Sequence, residues 1–193
     1  MKTVYRFLSL SIITLIFSVT AVNAQNSDSE ADLVLTEFSD YQCPACAYYH
    51  PIVEKLKQDM GDKLKVEYRY YPLNSHQFAA LAARAAEAAR NQGKFKEMHN
   101  MLFENQKSWS SSGNPQATFI SYAKGLGLDV NQFREDLNAA ETQKAVMEQK
   151  REGENMGVNS TPTFFINGFK VQQTPRNYEQ FKALLESQIP EDT

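Results

Sequence analysis

The chain has 193 residues, 20 of them basic and 23 acidic, for a formal net charge of −3, and 42% of it is hydrophobic. That interspersed, mildly acidic composition excludes a nucleic-acid surface and leaves enough apolar material for one domain with a substantial core. Two cysteines are too few for the several structural bridges that exported proteins often carry.

Residues 1–24 read as a cleavable secretory signal peptide. Lys2 and Arg6 give a positive start, Phe7 to Thr20 an apolar run, and Val22-Asn23-Ala24 a small-residue cleavage site. The apolar run falls short of the ~20 residues a membrane span needs, which argues against a retained anchor. Cleavage leaves 169 residues with 18 basic and 23 acidic side chains, a net charge of −5. No second stretch is long enough to cross a bilayer. Residues 25–32 are polar and read as a flexible tether, and residues 33–193 as a single domain. The expected location is the periplasm or an equivalent exported compartment.

Leu33 to Phe38 is an apolar run of strand length. Cys43 opens a helix expected to reach Met60, with Tyr49, Ile52, Val53 and Leu56 at helical spacing. Pro51 inside it removes a backbone hydrogen bond and predicts a bend. Lys65 to Tyr71 reads as a second strand, ended by Pro72. Gln77 to Asn91, with Leu81 among eight alanines, is a strong helix former closed by Gly93. Lys94 to Asn105 puts Phe95, Met98 and Leu102 on one face. Ser108 to Gly113 is expected to be loop, after which Asn114 caps a helix with Pro115 at its first position, running to Lys124.

Val130, Phe133 and Leu137 mark a short helix, and Thr142 to Met156 another ended by Gly157. Thr163 to Ile166 and Phe169 to Val171 flank Asn167-Gly168, a strong hairpin signal. Thr174 and Pro175 are expected to cap and start a final helix to Gln188, with Tyr178, Phe181, Leu184 and Leu185 inward. The order β–α–β, a helical block at about residues 74–156, then β–β–α predicts an α/β domain with helices inserted in its middle.

The chemistry concentrates at Cys43-Pro44-Ala45-Cys46. A Cys-x-x-Cys between a strand and a helix is the context in which the motif signals redox chemistry. Only a thiolate attacks a disulfide, and a cysteine at a helix N-terminus faces unpaired N–H groups and the positive end of the helix dipole. Cys46, one turn along the same face, is placed to close a small disulfide ring. So short a ring would constrain little of the unfolded chain, which argues for exchange over stapling.

Taken together, these features resemble the thioredoxin fold, and the helical insertion resembles the DsbA-like branch of exported thiol-disulfide oxidoreductases. The resemblance spans nearly all of residues 25–193. It implies Cys43 as nucleophilic and Cys46 as resolving thiol, with Glu37 at the family's buried acidic position. Pro51 matches the proline of the active-site helix, and Thr161-Pro162 the cis-proline loop, whose backbone would pair with an extended substrate peptide. Buried near Cys46, the Glu37 carboxyl would have a raised pKa and could exchange a proton with that thiol.

Strongly oxidising members of that branch carry histidine just before the second cysteine, where this chain has Ala45. A less oxidising pair is therefore expected, with dithiol oxidase the first reading and reductase or isomerase the second. No separate N-terminal dimerisation segment has room in the chain, which tilts the expectation to a monomer. The implied partners are proteins with free thiols or disulfides and a membrane or soluble redox partner that recycles the pair, with no cofactor and no metal.

Three other readings compete. A metal site would need two more ligands, and His50, His76 and His99 show no paired spacing. A Cys–His hydrolase would use one cysteine and a base. A peptide-binding module would carry an inert disulfide. His50, one turn after Cys46, is expected on the helix surface, and His99 in packing. Tyr41, Tyr48, Tyr49, Tyr68, Tyr70 and Tyr71 read as core and rim in preference to a peptide groove.

Overall fold

The computed structural model describes residues 31–189. The signal peptide expected at 1–24 lies outside the described residues, as does nearly all of the tether expected at 25–32. A four-stranded sheet has the order β2-β1-β3-β4, formed by β1 (Leu33–Ser39), β2 (Leu64–Tyr70), β3 (Thr163–Ile166) and β4 (Phe169–Lys170). β1 runs parallel to β2 and antiparallel to β3, and β3 and β4 form a hairpin. Asn167 and Gly168 both have positive φ (49° and 82°), the conformation that a two-residue hairpin turn demands. The Asn167 carboxamide oxygen also accepts from the Val34 amide at 2.8 Å, tying the hairpin to β1.

Side chains alternate across β1 with a period of two. Leu33 and Leu35 join one apolar cluster with Val53 and Leu56 of α1 (Pro44–Met60) and Phe181 and Leu185 of α8 (Tyr178–Glu186). Glu37 continues that same row. Phe38, on the opposite face, packs with Tyr71, Val158 and Phe165. α1 runs unbroken through Pro51.

Six helices lie between β2 and β3: α2 (Ala79–Arg90), α3 (Phe95–Glu104), α4 (Gln106–Ser110), α5 (Pro115–Gly125), α6 (Val130–Asn138) and α7 (Ala140–Asn155). α2 is buried nearly all round, its alanines letting α3, α6 and α7 approach closely. The apolar cluster of this helical block includes Tyr41, Cys43 and Cys46, so the cysteine pair sits where the sheet's core and the block's core meet.

Two expected boundaries are corrected. Residues 106–110 are helix α4, where a loop from Ser108 was expected. Trp109 decides this: it is fully buried, donates its indole N–H to the Leu102 carbonyl at 2.7 Å, and packs edge-on against Phe119. The last helix begins at Tyr178, not after Thr174. Asn177 caps it by accepting from the Gln180 amide, while the Pro175 carbonyl accepts from the Tyr49 hydroxyl.

Gly153 of α7 packs closely against the rings of Tyr71 and Phe38. A Cβ there would lie 2.8 Å from a ring carbon of Tyr71 and 2.9 Å from the Phe38 ring. Gly153→Ala is expected to destabilise the protein by about 1–3 kcal/mol through overpacking, even though alanine suits a helix better by about 1 kcal/mol. Urea unfolding at constant m-value reads this, and an unchanged midpoint would refute the close approach.

Candidate active site

The turn between β1 and α1 is built on Asp40. Its carbonyl accepts from the Cys43 amide at 3.0 Å, closing the turn, and its own amide points at the Cys46 sulfur, 3.5 Å away. The Asp40 side chain is 1% exposed and is spent entirely on placement. One carboxylate oxygen accepts from the Gln42 amide at 2.7 Å. The other accepts from the Leu73 amide and lies against His76 Nδ1, both at 2.8 Å. The Gln42 carboxamide in turn accepts from the Phe78 amide at 2.7 Å, so the turn is stitched to the segment leading into α2.

A second set of bonds reaches the turn from α4. The Gln106 side-chain amide donates to the carbonyls of Tyr41 and Cys43, at 2.7 and 2.8 Å. Asp40 and Gln106 were not singled out by sequence, and His76 entered there only as a dismissed metal ligand. Asp40 sits beside the motif, but nothing local signals that the turn's partners come from residues 73–78 and 106.

Cys43 is the N-cap of α1, with Pro44 at the first helical position, where a missing N–H costs nothing. Both cysteines are free thiols in the structure. The Cys46 thiol beside it, together with Thr161 and the backbone N–H groups of Cys46 and Ala45, outweighs burial and pulls Cys43 down to about 5. Cys46 is fully buried, and that burial, with Cys43 and the Glu37 carboxyl nearby, pushes its thiol well above the ordinary cysteine range. The two sulfurs are therefore unlike, one poised as a thiolate and the other held as a thiol.

The Thr161–Pro162 peptide bond is cis, and the Cys43 sulfur lies 3.4 Å from the Thr161 carbonyl oxygen. Residues 118 apart in sequence thus meet at one sulfur. Glu37 is 2% exposed, flanked in the sheet by Tyr68 of β2 and Phe164 of β3. Burial raises its carboxyl to about 7, opposed by the Ser39 hydroxyl and reinforced by Glu54. One Glu37 carboxylate oxygen is buried without a hydrogen-bond partner. A carboxyl in that condition favours its protonated form and can trade a proton near neutral pH.

His50 corrects another expectation. It is 7% exposed, not on the helix surface, and stacks on Phe103 with ring centroids 5.0 Å apart. Helical phase alone did not reveal that α3 covers this face of α1. His99 is 2% exposed, packed against Tyr68, and 2.9 Å from the Tyr41 hydroxyl through Nδ1. Burial pushes both imidazoles down, which keeps them neutral packing groups. A groove of about 1260 Å³ opens beside them, lined by residues including His50, Glu54, Lys96, Asn100 and Gln106; neither cysteine lines it.

The tyrosines spend their hydroxyls on structural bonds. Tyr48 bonds the Arg176 carbonyl, Tyr68 bonds Glu54, Tyr70 bonds Glu87, and Tyr71 bonds the Val158 carbonyl. Among the described residues no group of three or more His, Cys, Asp or Glu side chains is placed to hold a metal ion. No described helix is long and apolar enough to cross a membrane.

Comparison with known proteins places this geometry. The Na(+)/H(+) antiporter NhaA 1 of Mycobacterium sp. (strain KMS) is 38% identical over 146 residues, a match covering 73% of this chain and 23% of that protein. The chain thus matches about a quarter of the length of that relative. A thioredoxin-like oxidoreductase from Silicibacter pomeroyi DSS-3 superposes with a TM-score of 0.67 at 28% identity, covering 82% of this chain and 87% of the other. Alpha-DsbA1 of Wolbachia pipientis shares the fold, with a TM-score of 0.71 at 20% identity, covering 84% and 88%. A family profile described as Thioredoxin matches residues 27–187. With that match, and with a helical block set between β2 and β3 of the four-stranded sheet, the chain belongs to the thioredoxin family and has its DsbA-like form.

Proposed function

We propose that this protein is an exported thiol-disulfide oxidoreductase that exchanges a Cys43–Cys46 disulfide with cysteines of substrate proteins, working mainly as a dithiol oxidase. The carrying observation is the Cys43 sulfur: at the N-terminus of α1, beside the cis Thr161–Pro162 loop, and with a pKa drawn down to about 5. Export to the periplasm is supported by the leader pattern of residues 1–24.

In the oxidase direction a substrate thiolate attacks Cys43 Sγ of the disulfide. The Cys43–Cys46 bond breaks, and Cys46 leaves with the electron pair. Buried Cys46 is costly as an anion, and protonated Glu37 supplies the proton that relieves it. A second substrate thiolate then attacks the substrate sulfur of the mixed disulfide, forming the substrate disulfide and displacing Cys43 as a thiolate. A thiol of low pKa is a good leaving group and stabilises the reduced enzyme, which favours this direction. The two electrons gained by the pair pass to a separate redox partner that restores the disulfide. The Thr161 backbone, beside Cys43 Sγ, is the edge against which an extended substrate segment would lie.

Reductase or isomerase action by the same two thiols is the second reading, favoured by Ala45 in place of a further donor between the cysteines. In that direction the Cys43 thiolate attacks a substrate disulfide, and Cys46, deprotonated by Glu37, resolves the mixed disulfide.

Four outcomes test this. Alkylation of the reduced protein should be confined to Cys43 at acidic pH with a midpoint near 5, and Cys46→Ser should accumulate mixed disulfides at Cys43. A midpoint in the range of free cysteine, roughly 8.5, would remove the enzyme assignment. Equilibration with glutathione should place the pair between the roughly −270 mV of thioredoxin and the roughly −120 mV of DsbA; a potential below that window would make reduction the main activity. In Glu37→Gln, resolution by Cys46 near pH 7 should slow by about 10²-fold. In the native protein that step quickens as pH rises through about 7, where the carboxylate forms, and the variant should lose this inflection.

A further inference from the structure

Gln106 belongs to α4 of the helical block, 63 residues from Cys43, yet its side chain ends on the backbone of the active-site turn. It is 6% exposed, and both bonds come from the one nitrogen, Nε2, at 2.7 Å to the Tyr41 carbonyl and 2.8 Å to the Cys43 carbonyl. A primary amide has two N–H groups, so each carbonyl can take one.

The consequence is geometric. The peptide unit joining Tyr41 to Gln42 is planar and trans, so its C=O and N–H point in opposite directions. Its C=O is held by Gln106 and its N–H by the Asp40 carboxylate at 2.7 Å. One plane is thereby gripped from both sides, by a donor from the helical block and an acceptor from β1's end. The second Gln106 bond fixes the peptide unit joining Cys43 to Pro44, whose carbonyl also accepts the first helical bond, from the Ala47 amide at 3.2 Å. Cys43 thus sits between two immobilised peptide planes.

The helix that delivers the amide is itself rigid. Trp109, one turn on, is fully buried and bonded to the Leu102 carbonyl. A glutamine side chain loses considerable rotamer freedom when buried. Here the loss is offset by bonds to two backbone carbonyls, since a buried acceptor left without a donor is costly.

We propose that Gln106 is a positioning residue for thiol exchange: its amide grips the peptide planes on either side of the Gln42–Cys43 segment and holds the Cys43 sulfur over the first N–H groups of α1 and against the Thr161 loop. The helical block therefore contributes to the reactivity of the thiol as well as covering it. This inference rests on the reading of Cys43 as the attacking thiol.

The test is the thiolate absorbance titration of the reduced protein in Gln106→Met, which keeps length and apolar bulk but removes both donors. The other ionisable groups bearing on this sulfur, Cys46 and through it Glu37, are unchanged by the substitution. The Cys43 midpoint should rise by about one unit, a tenfold loss in ionisation constant, with a matching fall in alkylation rate at acidic pH. Ser108→Ala, on the exposed face of the same helix, should leave the midpoint in place.

A folded Gln106→Met protein with an unshifted midpoint overturns the inference. Should that variant fail to fold, NMR of the native protein decides: Gln106 side-chain NH₂ resonances that titrate together with Cys43 support it, and resonances flat across that range overturn it. If the native protein shows no acidic thiol at all, the reading of Cys43 falls first. A low native midpoint that the substitution does not move removes only the role of Gln106.

Discussion

A sulfur anion at position 43 is stabilised by the Cys46 thiol beside it and by the N–H groups left free where the chain turns into a helix. The N–H groups of the first turn have no carbonyl of their own to satisfy, and Pro44 begins the helix without adding a further donor. The stabilisation is short-ranged, so the sulfur must be held where those groups point. Much of the polar architecture nearby is spent on that placement. Asp40 closes the turn, Gln106 grips its outer face, and the Thr161 loop sets the opposite wall.

The same constraint explains why the two thiols differ. Cys43 keeps 7% of its surface exposed beside the free donors of the first turn, whereas Cys46 lies one turn on, fully buried and near an acidic side chain. Burial that would be a defect for an isolated carboxyl becomes useful at Glu37. That carboxyl, raised to about 7, sits on β1 close enough to Cys46 to push the thiol up. The two sulfurs thus differ in burial and in how readily each gives up its proton.

The helical block is part of this arrangement. Its apolar cluster contains Tyr41 and both cysteines, and its polar ties to the turn come from α4 and from the segment before α2. His50 and His99 fill the seam between α1 and α3, His50 stacked on Phe103 and His99 tilted against Tyr68, and their burial favours the uncharged rings. A sheet-only version of this fold would keep the cysteine pair but lose the bonds that Gln106 and residues 73–78 make to its turn.

The local grammar of the chain was legible in the residues themselves. Cys-x-x-Cys between an apolar run and a helix, Asn114-Pro115 as cap and first turn, and Asn167-Gly168 as a hairpin turn each carry their geometry in a few adjacent side chains. What failed locally failed where a distant contact outweighs propensity. The serine-rich stretch around Trp109 folds as helix because the indole is buried, and the last helix starts three residues later than Pro175 suggests because Asn177 makes the cap.

Period and composition therefore determined the order of elements and the presence of a reactive pair. The burial of His50, the isolation of the Glu37 carboxyl and the grip of Gln106 on the active-site turn were settled only by tertiary packing. Each depends on which element covers a given face, and that is fixed by the close fit of residues far apart in the chain.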